Sequence, residues 1–319
     1  MSDTCCELQL NPDITGIGVR AALYAQIVLG WAVSLIYPDQ FVKNSRTAYM
    51  TAIALLIASF IQLTTQNLSL LDGLVVSLTT TMMITFSVAS YPSKRRVNAS
   101  TGPKTADTEE SWSRWFMQFC FVIFWGAWCF NMWRDPAHFG LKGEKAACPT
   151  NYSVTLWVFG REVNATNPRM RNAALAIVSI GFIIALCSLV ISLEKAMSPI
   201  LYLAGKIWDE KRARAPAYEN PILQNIHYFL QTVAIVTLIY LVAATEKTID
   251  NNDVAKQADN WSYGQTIALI LLLQQVMDVF STFVDKMEDK EEEEEKAKQQ
   301  RGDGGQQQVT SLPMDTLNP

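Results

Sequence analysis

Four ionisable residues lie within or at the edge of apolar stretches of this 319-residue chain and are the first candidates for chemistry: Arg20, Asp72, His227 and Asp278. A charge in hydrocarbon is costly unless it is paired, so such residues are usually partnered or functional. At about 1.5 Å per helical residue, Arg20 and Asp72 lie near one membrane boundary and the other two lie near the opposite one. These depths allow an Arg20–Asp72 pair and a His227–Asp278 pair. The second pair is a weak catalytic candidate, as an acid-base couple.

Five glutamines add amide side chains to this pattern. Gln265 lies at the depth of Arg20, and four others lie between the two charged layers: Gln26, Gln231, Gln274 and Gln275. Amides at these depths could line a polar cavity that conducts or binds a solute. They could equally link neighbouring helices by hydrogen bonds, which is the commoner use of such groups in membranes. Both interpretations stay open at the level of sequence.

The motifs of cofactor-dependent enzymes are missing. The chain has two histidines and neither His-Glu-x-x-His nor Cys-x-x-Cys, which argues against a protein-built zinc site. Gly16-Ile17-Gly18 opens an apolar stretch and follows no strand, so it does not indicate a dinucleotide loop. We expect no metal, no cofactor and no nucleic-acid partner. The pattern favours a protein that is not an enzyme, although it leaves an enzyme open.

Seven apolar stretches must position these residues. A hydrocarbon core of roughly 30 Å needs about 20 helical residues. The predicted spans cover residues 16–37, 47–63, 71–91, 112–133, 172–193, 222–244 and 261–284. Backbone polar groups in lipid must be satisfied within each segment, so the spans should be helices. We predict an all-α fold, a seven-helix membrane domain over 16–285, between an N-terminal segment 1–15 and a disordered acidic, Gln-rich tail 286–319.

Lysine and arginine in the connecting loops predict the orientation. The first, third and fifth loops are basic, whereas segment 1–15 and the loop 64–70 contain no Lys or Arg. This bias places the N-terminus outside and the C-terminus in the cytoplasm. The fourth loop, 134–171, carries six basic residues and departs from the pattern. We expect the plasma membrane or another membrane of the secretory pathway.

This orientation gives the fourth loop two further predicted features. Asn151 and Asn164 begin glycosylation sequons that would face the lumen. Cys148 could form a disulfide with Cys5 or Cys6, which lie on the same side. Palmitoylation of Cys5 and Cys6 is the rival interpretation, and it requires an N-terminus inside.

Two sequences carry a resemblance: Asn11-Pro12-Asp13-Ile14-Thr15-Gly16-Ile17-Gly18-Val19-Arg20 at the first span and Trp261-Ser262-Tyr263-Gly264-Gln265 at the last. They resemble multi-pass integral membrane proteins of filamentous fungi, and the middle of the chain matches only in its span pattern. The resemblance supplies no catalytic residues. It implies that Asn11, Asp13, Arg20 and Gln265 belong to one structural cluster.

The leading functional hypothesis is a non-enzymatic, receptor-like sensor of a small or lipidic ligand. It would sit in the lipid bilayer and act on a cytoplasmic partner through its loops and tail. A transporter or lipid translocator is the first alternative, with Arg20, Asp72, His227 and Asp278 as polar steps. A membrane enzyme or accessory protein of a fungal secondary-metabolite pathway is the second.

Overall fold

The computed structural model describes residues 8, 10–37, 40–65, 67–89, 108–141, 150–183, 185–186 and 221–307. The chain divides into two units, 1–272 and 273–319. The described residues are mostly helical. The helices are α1 (Pro12–Thr15), α2 (Ile17–Ile36), α3 (Phe41–Thr64), α4 (Leu70–Ala89), α5 (Thr108–Arg134), α6 (described over 168–183), α7 (Pro221–Asn251), α8 (Ala255–Ala258) and α9 (Tyr263–Gln307).

Five of the described helices are long and apolar enough to cross a membrane. Their candidate spans are Pro12–Ile36, Lys43–Thr64, Phe116–Arg134, Tyr228–Asn251 and Tyr263–Glu292. A sixth apolar helix, Leu70–Phe86, is shorter. The protein is therefore a mostly helical protein with five candidate membrane spans, and the count of seven spans stays a prediction.

The described parts of four connecting segments meet at one end of the first unit, which we call the capped end: 8 and 10–11, 65 and 67–69, 135–141 and 150–167, and 252–262. Asn11 donates from Nδ2 to the carbonyl of Asn67, 3.2 Å away. The backbone N–H of Leu10 donates to Oε1 of Gln257. These contacts join the N-terminal segment to two of the other connections, so the helices between them run away from this end and return to it.

The core below the capped end is built around Trp128 on α5, which is fully buried. Its ring packs edge-on against Phe60 at 5.1 Å and against Phe139 at 5.8 Å between centroids. Its indole N–H donates to the carbonyl of Gly73 on α4. A Cβ on Gly73 would lie 2.7 Å from the Phe139 ring, so this contact between α4 and the loop after α5 requires glycine.

The fourth connection, which the sequence predicted only as a loop, contains a β-hairpin within an otherwise mostly helical structure. Strand β1 (Thr155–Val158) pairs antiparallel with β2 (Arg161–Asn164), Val158 lying opposite Arg161. Phe159 and Gly160 form the turn with positive φ of 46° and 83°. Each strand has only four residues. An alternation of apolar and polar side chains over so short a segment is not recognisable in a sequence dominated by helical patterns.

The last helix continues through the acidic run to Gln307, where we predicted a disordered tail. Glu and Lys are good helix formers, and oppositely charged residues three or four apart stabilise a helix. Lys286 and Asp289 form one such pair, with Nζ and Oδ2 3.8 Å apart. The sequence allowed residues 286–298 to extend the last helix, and the helix continues beyond them to Gln307. Residues 308–319 lie outside the described part, and disorder of the tail stays a prediction.

Candidate functional site: a polar cluster at the capped end

The polar cluster begins at the short helix α1, which starts with two local signals. Asn11 is its N-cap and accepts the backbone N–H of Asp13 on its side-chain oxygen. Pro12 occupies the first helical position, where no N–H is needed. Gly16 then adopts an extended conformation, with φ −61° and ψ 158°, and ends α1. The chain restarts at once as α2, so the first amides of α2 need acceptors from elsewhere.

Gln265 supplies one of those acceptors from the first turn of α9. Its Oε1 accepts the N–H of Gly18, 3.0 Å away, and its Nε2 donates to the carbonyl of Asn260 at 2.7 Å. The side chain is completely buried. A Cβ on Gly16 would lie 2.3 Å from Nε2, and one on Gly18 would lie 2.7 Å from Oε1. The two glycines therefore leave room for the Gln265 amide. This packing accounts for the Gly16-Ile17-Gly18 spacing without a nucleotide-binding loop.

A second pair of contacts ties α1 to the start of α9. Oδ1 of Asp13 accepts the N–H of Gly264 at 2.9 Å, and the hydroxyl of Ser262 donates to the carbonyl of Pro12. A Cβ on Gly264 would lie 2.1 Å from the Asp13 carbonyl oxygen. The two backbones are thus in direct contact, and Asp13 acts as an acceptor for an unpaired amide at the start of α9.

Asp72 on α4 is fully buried and accepts four hydrogen bonds. Its Oδ1 receives the N–H of Asn11 at 2.9 Å and the hydroxyl of Thr15 at 2.6 Å. Its Oδ2 receives the N–H and the hydroxyl of Ser69, whose Oγ in turn accepts the N–H of Asp72. This reciprocal arrangement is a capping box with aspartate in place of glutamate. The carboxylate therefore stabilises the helix start and holds α1 against it.

Arg20 pairs with Glu246 on α7, not with Asp72. Its Nη2 donates to Oε2 at 3.1 Å, and its Nε lies 3.0 Å from Oε1 as an ion-pair contact without a hydrogen bond. The hydroxyl of Tyr24 donates to Oε1 of the same carboxylate. Nη1 of Arg20 donates to the carbonyl of Thr15. Arg20 and Asp72 are thus linked only through Thr15, and the predicted pair is corrected.

Glu246 is the residue that sequence reasoning missed. It follows the predicted end of the sixth span, at 244, and was counted among the loop acids. In the structure α7 continues to Asn251, which puts Glu246 on the helix. The available signal was the charge of Arg20 itself, because a buried guanidinium requires an acid at its own depth. Asp72 and Glu246 both satisfy that condition on sequence, and only packing distinguishes them.

The remaining predicted polar residues differ in burial and in the unit to which they belong. Gln26 is buried on α2 and Gln231 is half-buried on α7. Three others lie in the second unit: Gln274, Gln275 and Asp278. Of these, Gln274 is exposed and Gln275 is buried. The side chain of His227 lies outside the described part of the chain. The His227–Asp278 pair and the glutamine-lined cavity therefore stay predictions.

The two sequons of the fourth connection differ in access. Asn151 is buried, and its Nδ2 donates to three backbone carbonyls, those of Pro136, Ala137 and Phe139. A glycan on that nitrogen is incompatible with this structure, so the prediction for Asn151 is corrected. Asn164 is exposed at the end of β2, and its Oδ1 accepts the hydroxyl of Thr166. Glycosylation of Asn164 stays a prediction.

The predicted disulfide falls on residues that the structure does not describe. Cys5, Cys6 and Cys148 all lie outside the described ranges, so their pairing stays a prediction. Cys120 and Cys129 on α5 are free thiols. Among the described residues no group of three or more His, Cys, Asp or Glu side chains could hold a metal ion.

The charges and amides of the cluster pair with one another, except that Nε of Arg20 is buried without a hydrogen bond. The buried ion pair is also asymmetric. The Arg20 side chain is 5% exposed, whereas that of Glu246 is 41% exposed. The carboxylate can therefore be reached from solvent, but its buried partner cannot. No protein-family model, curated protein or solved structure matches the chain. The likeness to fungal membrane proteins therefore remains a resemblance.

Replacing Glu246 by Gln should lower the stability of the folded bundle. The amide can accept one hydrogen bond from Arg20 but leaves the buried guanidinium without a counter-charge, at a cost of about 1–3 kcal/mol. Thermal unfolding of the detergent-solubilised protein measures the effect. Asp250→Asn is the matched control, because Asp250 pairs with Lys247 at 3.5 Å on the exposed side of the same helix. Equal effects of the two substitutions would contradict a structural role for the buried pair.

Proposed function

We propose that the protein is a non-enzymatic, receptor-like membrane protein that crosses the bilayer seven times, with the capped end outside and the C-terminus in the cytoplasm. Two observations support this topology. The four segments of the capped end contact one another, as expected if the helices between them each cross the membrane. The loops predicted at the opposite end carry the basic bias of cytoplasmic loops.

The contact between Arg20 and Glu246 is the observation that carries the receptor-like function. It joins α2 to α7 at the capped end, and only its acidic partner is accessible. A small or lipidic ligand with a cationic group would meet Glu246 first. Binding there would compete with the buried guanidinium, which is unstable without a counter-charge. Ligand binding would therefore be coupled to a rearrangement of α2 against α7.

Helix α7 provides the connection to the other side of the membrane. From Glu246 to its start at Pro221 it runs 25 residues, or roughly 38 Å at 1.5 Å per residue. Its first residue follows the basic fifth loop, which contains Lys211, Arg212 and Arg214. A shift of α7 at the capped end would then reach the loop on which a cytoplasmic partner would act. Such coupling requires two arrangements of α7 that differ in ligand affinity.

Deletion of the gene in its native host, followed by complementation, tests this function. Wild type and Asp250→Asn should restore the transcriptional response to an external cue, whereas Glu246→Gln and a chain truncated after Asp285 should not. The metabolite profile should be unchanged throughout. Loss or intracellular trapping of one metabolite in the deletion strain would contradict a receptor and indicate transport or biosynthesis instead.

Glycan mapping tests the orientation. We expect Asn164→Gln to remove the glycosidase-sensitive shift in gel mobility, because Asn164 is the exposed sequon of the fourth connection. Asn151→Gln is compared with it, and the shift should persist there if the protein folds, since that side chain is buried. Asn98 begins another sequon, Asn98-Ala99-Ser100, in the third loop, which is predicted to be cytoplasmic. A glycan found on Asn98 would place the capped end in the cytoplasm and overturn the orientation.

A further inference from the structure

The hairpin β1–β2 lies along α7, with its outer backbone edge satisfied by helix side chains. The N–H of Thr155 donates to Oδ1 of Asn252 at 2.9 Å, and the N–H of Trp157 donates to the hydroxyl of Thr248 at 3.1 Å. The N–H of Phe159 reaches the hydroxyl of Tyr240 at 3.4 Å. Every second amide from β1 to the turn is therefore paired with α7. An open strand edge cannot enter lipid, but an edge paired in this way can approach it.

These three contacts also fix the depth of the turn. Thr155 is level with Asn252 at the end of α7. Phe159 lies beside Tyr240, whose hydroxyl accepts its N–H and whose ring stacks on its ring. Tyr240 is four residues inside the predicted end of the sixth span, at 244, which is the predicted outer limit of the hydrocarbon core. The turn of the hairpin therefore reaches the membrane surface from the capped end.

Phe159 is an unusual residue for this turn. Two consecutive positive φ angles are favoured by Asn, Asp or Gly, and a bulky side chain at the first position is strained. The Phe159 side chain nevertheless lies flat against the ring of Tyr240, with centroids 4.9 Å apart and planes 18° apart. It is 83% exposed, so the stacking covers only a small part of it. An exposed aromatic ring held at the membrane boundary in a strained turn indicates contact with lipid.

The opposite strand is polar at the same level. Arg161 lies across from Val158, one residue above the turn, and both Arg161 and Glu162 are exposed. A guanidinium a few ångströms above an inserted aromatic ring is at the level of lipid phosphates, which arginine binds well. The apolar turn thus matches the acyl layer of a leaflet, and Arg161 beside it matches the phosphate layer.

We propose that this hairpin is a phospholipid-binding element, in which Phe159 enters the acyl region of the leaflet at the capped end and Arg161 binds a lipid phosphate. The occupant is a phospholipid of the surrounding bilayer. This accounts for one of the basic residues that make the fourth connection depart from the charge pattern of the other loops. The proposal depends on the membrane location of the helices and not on receptor activity.

Photo-crosslinking tests the insertion of the turn. The full-length chain carrying Phe159→p-benzoylphenylalanine is reconstituted in nanodiscs of phosphatidylcholine and phosphatidylglycerol, irradiated, and analysed by mass spectrometry. We expect phospholipid adducts at position 159 in several-fold excess over Tyr152→p-benzoylphenylalanine, since Tyr152 is also an exposed aromatic residue of the fourth connection. Equal adduct yields at the two positions, no lipid adduct at 159, or crosslinks to a protein instead would each overturn the proposal.

The role of Arg161 is tested on the same photoreactive chain. Arg161→Gln should lower the yield of phosphatidylglycerol adducts at position 159 about fivefold, the effect of roughly one basic residue near an anionic surface. Glu162→Gln is the matched control on the same strand, and it should leave the yield unchanged or raise it. An Arg161→Gln yield equal to that of the parent chain would overturn phosphate binding.

Discussion

The need to satisfy helix ends at the edge of a membrane shapes the capped end. Segment Asn11–Arg20 ends one short helix and starts a long one, and this leaves amides and carbonyls that water would otherwise solvate. Distant side chains satisfy them instead. Asp72 on α4 accepts the amide of Asn11, and Gln265 on α9 accepts the amide of Gly18. The N-terminal segment is thereby fixed to helices that follow it by up to 253 residues in the chain.

The capped end contains two separate charged groups, the Asp72 carboxylate and the Arg20–Glu246 ion pair. Thr15 links them. Asp72 accepts four hydrogen bonds at a helix start, where the helix dipole favours a negative charge. Arg20 is neutralised by the carboxylate of Glu246. Thr15 touches both, donating its hydroxyl to Asp72 and accepting from Arg20 on its carbonyl. Of the two groups, the Arg20–Glu246 pair is the one with an exposed carboxylate, that of Glu246. A regulated contact is proposed there because of this exposure.

The sequence predicted features that depend on a short stretch of chain, such as apolar helices. It predicted less well the contacts that depend on how distant helices pack. Apolar runs of sufficient length predict membrane helices, and five of the described helices are long and apolar enough to cross a membrane. The hairpin was missed, and the last helix runs further than the brief extension that the sequence allowed. The spacing of Gly16 and Gly18 was noticed, but its purpose appears only with the side chain of Gln265 between them. The partner of Arg20 could not be chosen from two acids at one depth.

Hydrogen exchange of the full-length protein in nanodiscs tests most directly whether distant side chains satisfy the N-terminal segment. The amide of Gly18 should exchange as slowly as those in the middle of α2. In Gln265→Leu it should exchange faster, while amides further along α2 keep their protection. Fast exchange at Gly18 in the wild type, or slow exchange retained in Gln265→Leu, would contradict the role assigned to Gln265.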